Sequence, residues 1–145
     1  MKNIFVTALL VIGMAAFAQE ATDAFGPVEK GQCRIVIFGS PALMVKPLFK
    51  VKIDNDANYE FLTNTSYLVI NASAGRHTID VAYTAPVIND ELRDGLSLFL
   101  KKGETAIMEF TYSDTGLKCT FQEQEQALLK ADKKTPITVS LTEGQ

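Results

Sequence analysis

Apolar and polar side chains alternate with a period of two residues along most of the chain after Gln19, and this pattern limits the possible folds more than any other feature. In the stretch 49–54, for example, a phenylalanine, a valine and an isoleucine alternate with two lysines and an aspartate. Successive side chains of a β-strand point to opposite faces of its sheet, so the alternation predicts strands with one buried face and one solvated face. Such strands fold by packing sheets on one another.

Eight segments carry a strand pattern, and turn residues (glycine, asparagine and aspartate) separate most of them. The segments are 33–38, 49–53, 65–70, 76–83, 96–100, 106–112, 117–121 and 137–141. The segment 65–70 is almost continuously apolar, as expected for a strand covered on both faces. The sequence therefore predicts an all-β fold, a two-layer β-sandwich of about eight strands without βαβ units.

Residues 122–134 do not alternate in this way. They are rich in glutamine, glutamate, leucine, alanine and lysine, which are good helix formers. Few of them are apolar, so the sequence leaves open whether this segment is a short C-terminal helix or a charged connector.

The first eighteen residues have the features of a signal peptide. Lys2 precedes an uncharged run at 4–17, which ends in the small-x-small sequence Ala16-Phe17-Ala18. The run is short for a membrane-spanning helix, which needs about 20 residues. We therefore expect cleavage after residue 18, a single domain at 19–145 and no membrane span in the mature chain.

Composition restricts the class of partner. With 145 residues, 47% of them hydrophobic, the chain has enough apolar material for one folded core and is unlike a disordered chain. Its formal net charge is −3, and removal of Lys2 with the leader leaves 13 basic against 17 acidic residues. Such a balance argues against nucleic acid as a partner, because binding to phosphates needs a basic surplus.

Export changes how the two cysteines are interpreted, because oxidising compartments favour disulfides. Cys33 alternates in phase with Ile35, and Cys119 in phase with Phe121, so both thiols are expected to point inward from strands. The sequence leaves two alternatives open: a Cys33–Cys119 disulfide, or two separate buried thiols.

His77 is the only histidine, so a Ser-His-Asp or Cys-His catalytic arrangement would have to use it, with Asp80 or another carboxylate to orient the ring. It shares a face with Ile79 and Val81, which favours a packed structural imidazole at the sheet edge. No G-x-S-x-G motif supplies a serine nucleophile, and one histidine with two separated cysteines makes a poor zinc site. We therefore expect no catalytic residues, no cofactor and no enzymatic activity.

Two further motifs suggest ligand binding. Asp54, Asp56 and Asn58 have the spacing of the start of a calcium loop, although Tyr59 stands where such a loop needs glycine. The alternative is a solvated hairpin turn. The acidic stretch 89–94 is interpreted as a solvated loop.

Aromatic side chains suggest a second kind of binding surface. Tyr59, Phe61 and Tyr67 are candidates for a sugar-binding platform, but their alternation also assigns them to buried faces. The chain contains no tryptophan, the most effective ring for such a platform.

Several segments together resemble a known family. A strand with outward lysines at 49–53 is followed by an Asp/Asn turn at 54–58, an aromatic segment at 59–62 and a strand entry at 64–67. The stretch Ala74-Gly75-Arg76-His77-Thr78-Ile79 and the hairpin at 96–105 complete the pattern. In these features the chain resembles an uncharacterised bacterial cell-envelope family (domain of unknown function 2846), which is similar to PEGA-type modules. It departs from the family pattern in lacking a glycine in the turn at Asp54.

The resemblance implies an immunoglobulin-like or transthyretin-like sandwich and an exported location, in the periplasm or at the cell surface of a bacterium. It implies no activity. We therefore expect a non-enzymatic cell-envelope module that binds a protein or an envelope polymer through loops or a sheet edge. A carbohydrate- or calcium-dependent binding module is the alternative, and a hydrolase is the least favoured class.

Overall fold

The computed structural model describes residues 25–39, 48–55, 57–85, 90–113 and 116–141, which contain nine strands and one helix. The strands are β1 (Gln32–Gly39), β2 (Leu48–Ile53), β3 (Ala57–Leu62), β4 (Ser66–Ser73), β5 (Gly75–Ala85), β6 (Asp90–Leu100), β7 (Thr105–Ser113), β8 (Gly116–Phe121) and β9 (Thr135–Ser140), and the helix is α1 (Gln124–Ala131). The predicted signal peptide at 1–18 lies outside the described residues. No helix in the described ranges is long and apolar enough to cross a membrane.

The strands form two sheets, which confirms the predicted all-β sandwich. The five-stranded sheet has the order β8-β7-β1-β4-β9, and the four-stranded sheet has the order β3-β2-β5-β6. Two strand pairs are parallel, β1 with β7 and β4 with β9, whereas the other pairs are antiparallel. The alternation of side chains does not distinguish these two kinds of pairing, because both place every second residue on the same face.

The main core lies between the two sheets, where inward residues of both layers form one continuous apolar cluster. In β1, Cys33, Ile35 and Ile37 point into this cluster, and Val36 and Phe38 point to the opposite face. A second apolar cluster covers that outer face, with Ala127 of α1 packed into it. The five-stranded sheet is therefore buried on both sides at its centre.

The second layer explains the nearly continuous apolar run at 65–70. In β4, Leu68 and Ile70 face the main core, whereas Tyr67 and Val69 face the second cluster. The prediction that this strand is covered on both faces is confirmed.

The structure corrects two details of the sequence analysis and resolves one open alternative. β3 is an additional strand, in which Tyr59 and Phe61 alternate over too few positions to give a clear pattern. β6 begins at Asp90, so its acidic first half is part of a strand rather than a solvated loop. The segment 122–134 contains a helix, α1, which resolves the open alternative between a helix and a connector.

A buried arginine fastens the chain before β1 to the outer face of the sheet. Arg34 is 1% exposed, and its guanidinium donates to the carbonyl oxygens of Gly26 and Pro27, each at 2.6 Å. Its Nε donates to the side-chain oxygen of Asn71 on β4 at 3.3 Å. Burial lowers the pKa of Arg34, and the three acceptors replace part of the hydration that a buried cation loses.

Gly39 is required by close packing at the end of β1. A Cβ atom at this position would lie 2.5 Å from Cε2 of Phe49 and would overlap the methyl group of Thr63. Gly95 on β6 offers a matched comparison, because a Cβ there would meet the side-chain oxygen of exposed Asp80, which can move aside.

We expect Gly39→Ala to lower the free energy of unfolding by about 2–3 kcal/mol, since the core must shift to admit the methyl group. Gly95→Ala is expected to stay within about 0.5 kcal/mol of the wild type. Urea unfolding followed by circular dichroism measures both values. Equal effects of the two substitutions would contradict this packing.

Candidate functional site

His77 lies on β5 and is 7% exposed. Its ring contacts polar atoms of Asp54, Ser73 and Cys33. Its Nδ1 is 2.7 Å from Oδ2 of Asp54, and its Nε2 is 2.7 Å from the carbonyl oxygen of Ser73. Sγ of Cys33 lies 3.7 Å from the same Nε2. The four residues come from β1, the end of β4, β5 and the turn after β2, so His77 links four parts of the sandwich.

The position of Asp54 follows from the turn that joins β2 to β3. Asp54 and Asn55 have φ values of 52° and 61°, in the left-handed region that aspartate and asparagine tolerate better than most residues. The backbone N–H of Asp54 donates to the carbonyl oxygen of Thr78 at 3.0 Å, and its Oδ1 accepts the N–H of Thr78 at 2.8 Å. These bonds hold the carboxylate against β5.

The sequence left the orienting carboxylate open between Asp80 and another acid, and the carboxylate beside His77 belongs to Asp54, whereas Asp80 is exposed beside Gly95. The predicted place of His77 at a sheet edge is wrong. β5 lies between β2 and β6, so His77 is on an interior strand and not at a sheet edge. The pairing of Ile53 with Ile79 brings the residue after β2 next to His77, which spacing along the chain could not reveal.

The hydrogen bonds of His77 indicate its role. A carboxylate oxygen of Asp54 lies within hydrogen-bond distance of one ring nitrogen and the carbonyl oxygen of Ser73 within hydrogen-bond distance of the other, so both nitrogens are engaged by the fold itself. Cys33 is 0% exposed, its thiol donates to the carbonyl oxygen of Ser73 at 3.3 Å, and burial raises its pKa. The geometry is that of a buried cross-link between strands.

The two cysteines are free thiols in the structure, where Cys33 is buried and Cys119 is half-buried. Cys119 lies opposite Phe110, and Phe110 lies opposite Gly39 on β1. Because Gly39 is six residues beyond Cys33, the two thiols are separated by about 20 Å along the strands. A disulfide needs Cα atoms within about 7 Å, so the strand register keeps Cys33 and Cys119 apart.

The calcium candidates do not form a ligand set in the described part of the chain. Both carboxylate oxygens of Asp54 are directed at His77 and Thr78, Asn58 is exposed on β3, and Asp56 lies outside the described residues. Across the described ranges, no group of three or more His, Cys, Asp or Glu side chains could hold a metal ion.

The aromatic candidates for a binding surface are divided between the two apolar clusters. Phe61 is 3% exposed and stacks on Phe49 in the main core, where Tyr59 also packs. Tyr67 is 5% exposed and stacks on Phe38 in the second cluster, with ring centroids 4.8 Å apart. These three rings therefore do not form one exposed platform, because β3 and β4 present them to different layers.

The exposed face of the four-stranded sheet carries a polar groove of about 760 Å³. It is lined by charged and polar side chains of β2, β3, β5 and β6, which include Lys50, Lys52, Asn58, Asp80 and Arg93. No aromatic ring is among the described residues that line it. The groove therefore lacks the stacking surface that a sugar platform would provide.

Two of the residues that organise the structure were missed by sequence reasoning. Arg34 is a single charged residue within an apolar strand segment, and this break in the apolar pattern could have indicated a buried structural arginine. Lys134 follows α1, and its Nζ donates to the carbonyl oxygen of Thr63 at 2.5 Å. Nothing in the local sequence distinguishes it from the lysines beside it.

The chain matches no protein-family model, and it matches none of the curated proteins.

The short contact between Nδ1 of His77 and Oδ2 of Asp54 predicts a measurable coupling energy. We expect Asp54→Asn and His77→Leu each to destabilise the fold, and a double-mutant cycle to give a coupling of about 1–2 kcal/mol. Asparagine also tolerates the left-handed backbone at position 54, so the turn is preserved.

The exposed pair Lys50–Glu60, with a 3.8 Å separation, is the control for this cycle. Its coupling is expected to fall below about 0.5 kcal/mol, since water screens both groups. Urea unfolding of all variants gives the two couplings. Equal values for the two pairs would contradict the structural role of His77.

Burial and the nearby Asp94 carboxylate raise the pKa of Cys119 to about 11. The reactive thiolate is then about 0.1% of the thiol at pH 8, against roughly a quarter for an ordinary cysteine. In a Cys33→Ala variant, we expect iodoacetamide to modify native Cys119 about 100-fold more slowly than the urea-unfolded chain. The native rate should rise about tenfold per pH unit between pH 8 and 10. A plateau by pH 9, measured by mass spectrometry, would contradict this shift.

Proposed function

We propose that this protein is an exported, non-enzymatic module of the bacterial cell envelope that binds a protein partner through the edge of its four-stranded sheet. The observation that carries the proposal is the stretch 96–100 of β6, which combines an exposed phenylalanine with a strand edge that pairs with no other described strand. The location rests on the signal-peptide features of residues 1–18 and on the family resemblance.

The geometry around His77 supports the non-enzymatic part of the proposal. Cys33, the nucleophilic side chain near the ring, is fully buried, and the ring nitrogens face Asp54 and Ser73. A nucleophile needs access to its substrate, and the buried position of Cys33 does not provide it.

β6 is the longest of the four edge strands in the described part of the chain. It pairs with β5 over its whole length of eleven residues, and it is the last strand of its sheet. An edge strand presents unpaired N–H and C=O groups that can bond to an extended segment of another chain. In the second half of β6, Leu96, Leu98 and Leu100 pack inward, whereas Phe99 is 67% exposed.

Other edge segments carry features that oppose such pairing. In β9, the N–H groups of Thr135 and Leu141 donate to β4, so Pro136 occupies a position that faces the free edge. Proline has no N–H, which removes a donor from that edge. In the first half of β6, Asp94 lies on the inward side and is followed by Gly95, a combination that discourages strand addition.

The proposal predicts that Phe99 anchors the partner. We expect Phe99→Glu to reduce partner recovery about tenfold when the purified mature chain is used for affinity capture from its own cell envelope. Phe121→Glu is the matched control, because Phe121 is 65% exposed at the end of β8 in the other sheet. Both variants should retain the wild-type unfolding temperature to within a few degrees.

A second measurement locates the contact. With the captured partner bound, hydrogen exchange should slow at the amides of residues 96–100 and remain unchanged in β9. If both glutamate variants, the wild type and an unrelated exported protein recover the same set of proteins, the partner-binding proposal is wrong.

A further inference from the structure

A second groove, of about 680 Å³, lies beside the C-terminal end of α1, on the side of the molecule opposite the exposed face of the four-stranded sheet. Its lining includes three lysines, Lys130, Lys133 and Lys134, together with Glu109 of β7 and Leu129 of α1. We refer to it as the lysine groove. Its volume is within the range of small-molecule sites, about 300–1,000 Å³.

The charge of the lysine groove is opposite to that of the chain. Among the described residues that line it, three carry ammonium groups and one carries a carboxylate, in a protein whose formal net charge is −3. Lys130 is paired with Glu109 and also donates to the side-chain oxygen of Gln122 at 3.2 Å. Lys134 donates to the carbonyl oxygens of Thr63 and Gly39, at 2.5 and 3.4 Å. Carbonyl oxygens satisfy its hydrogen bonds but do not neutralise its charge.

The surroundings of Lys130 and Lys134 disfavour the charged form of their ammonium groups. Burial lowers the pKa of Lys130 and of Lys134, and the charge of Lys130 lowers the pKa of Lys134 further. Lys133 is exposed at the rim and adds a third positive charge. An anion in the groove would offset the repulsion among them, and it would interact more strongly there than in bulk water because the site is partly desolvated.

The apolar component of the groove comes from α1. Ala127 of α1 is buried against the sheet. Leu129, which lines the groove, is 71% exposed. An exposed leucine beside a cationic groove favours a ligand that has an apolar part next to its negative charge.

We propose that the lysine groove binds an acidic amphiphile, a molecule in which a carboxylate or phosphate group is attached to an apolar chain. The anionic group contacts the ammonium groups of Lys133 and Lys134, and the apolar chain covers Leu129. This site is separate from the edge of β6 and does not depend on the partner-binding proposal.

The test uses the purified mature chain and titrations followed by two-dimensional NMR at low salt. Sodium decanoate is the main probe, and a dissociation constant of about 1 mM is expected for a ligand of this size. Its chemical-shift changes should be concentrated at residues 126–134. Decyltrimethylammonium has the same apolar chain with a positive head group, and inorganic phosphate is an anion without the chain. Both should bind at least fivefold more weakly than decanoate.

Lys133→Gln and Leu129→Ser test the groove without disturbing the fold, because both side chains are exposed. Each is expected to weaken decanoate binding at least threefold, whereas Lys102→Gln, in the distant turn between β6 and β7, should leave it unchanged. If all three variants bind decanoate equally, the groove is not the site. Binding of decyltrimethylammonium or of phosphate as tight as that of decanoate would contradict the assignment to an acidic amphiphile.

Discussion

The two-layer fold, with α1 packed on its outer face, depends on the burial of β1 on both of its faces. Cys33, Ile35 and Ile37 pack against the four-stranded sheet, whereas Val36 and Phe38 pack under α1. A small domain gains stability in proportion to the apolar surface it removes from water, so a strand that contributes to two apolar layers is a large part of the core. α1 contributes Ala127 to the second layer.

The polar residues inside the sandwich support this arrangement. Arg34 fixes the chain before β1 to the outer face, and His77 joins β5 to the turn after β2 through Asp54. A buried polar group is costly unless it is hydrogen-bonded, and both of these side chains have close partners. The lysine groove differs, because the described residues that line it carry three ammonium groups and a single carboxylate. For this reason we infer a ligand at the groove and a structural role for His77.

The alternation of side chains was sufficient to predict most of the strands and the all-β sandwich. It failed at β3, where Tyr59 and Phe61 are the only clear inward pair, and at the start of β6, where acidic residues occupy a strand. It predicted that Cys33 points inward. The face on which a residue lies does not determine its position along the neighbouring strands, so the distance between Cys33 and Cys119 could not be predicted from the alternation. The pairing of His77 with Asp54 depends on the register of β2 against β5, which alternation does not specify.

Native-state hydrogen exchange tests the central claim, that β1 lies between two apolar layers, most directly. The amides of Ile35, Val36 and Ile37 are expected to exchange only through global unfolding, with the same free energy of opening as urea unfolding gives. The amides of β9 and of the free edge of β6 should exchange through smaller openings. If the amides of β1 exchange as fast as those of β9, β1 is not the doubly covered centre of the fold.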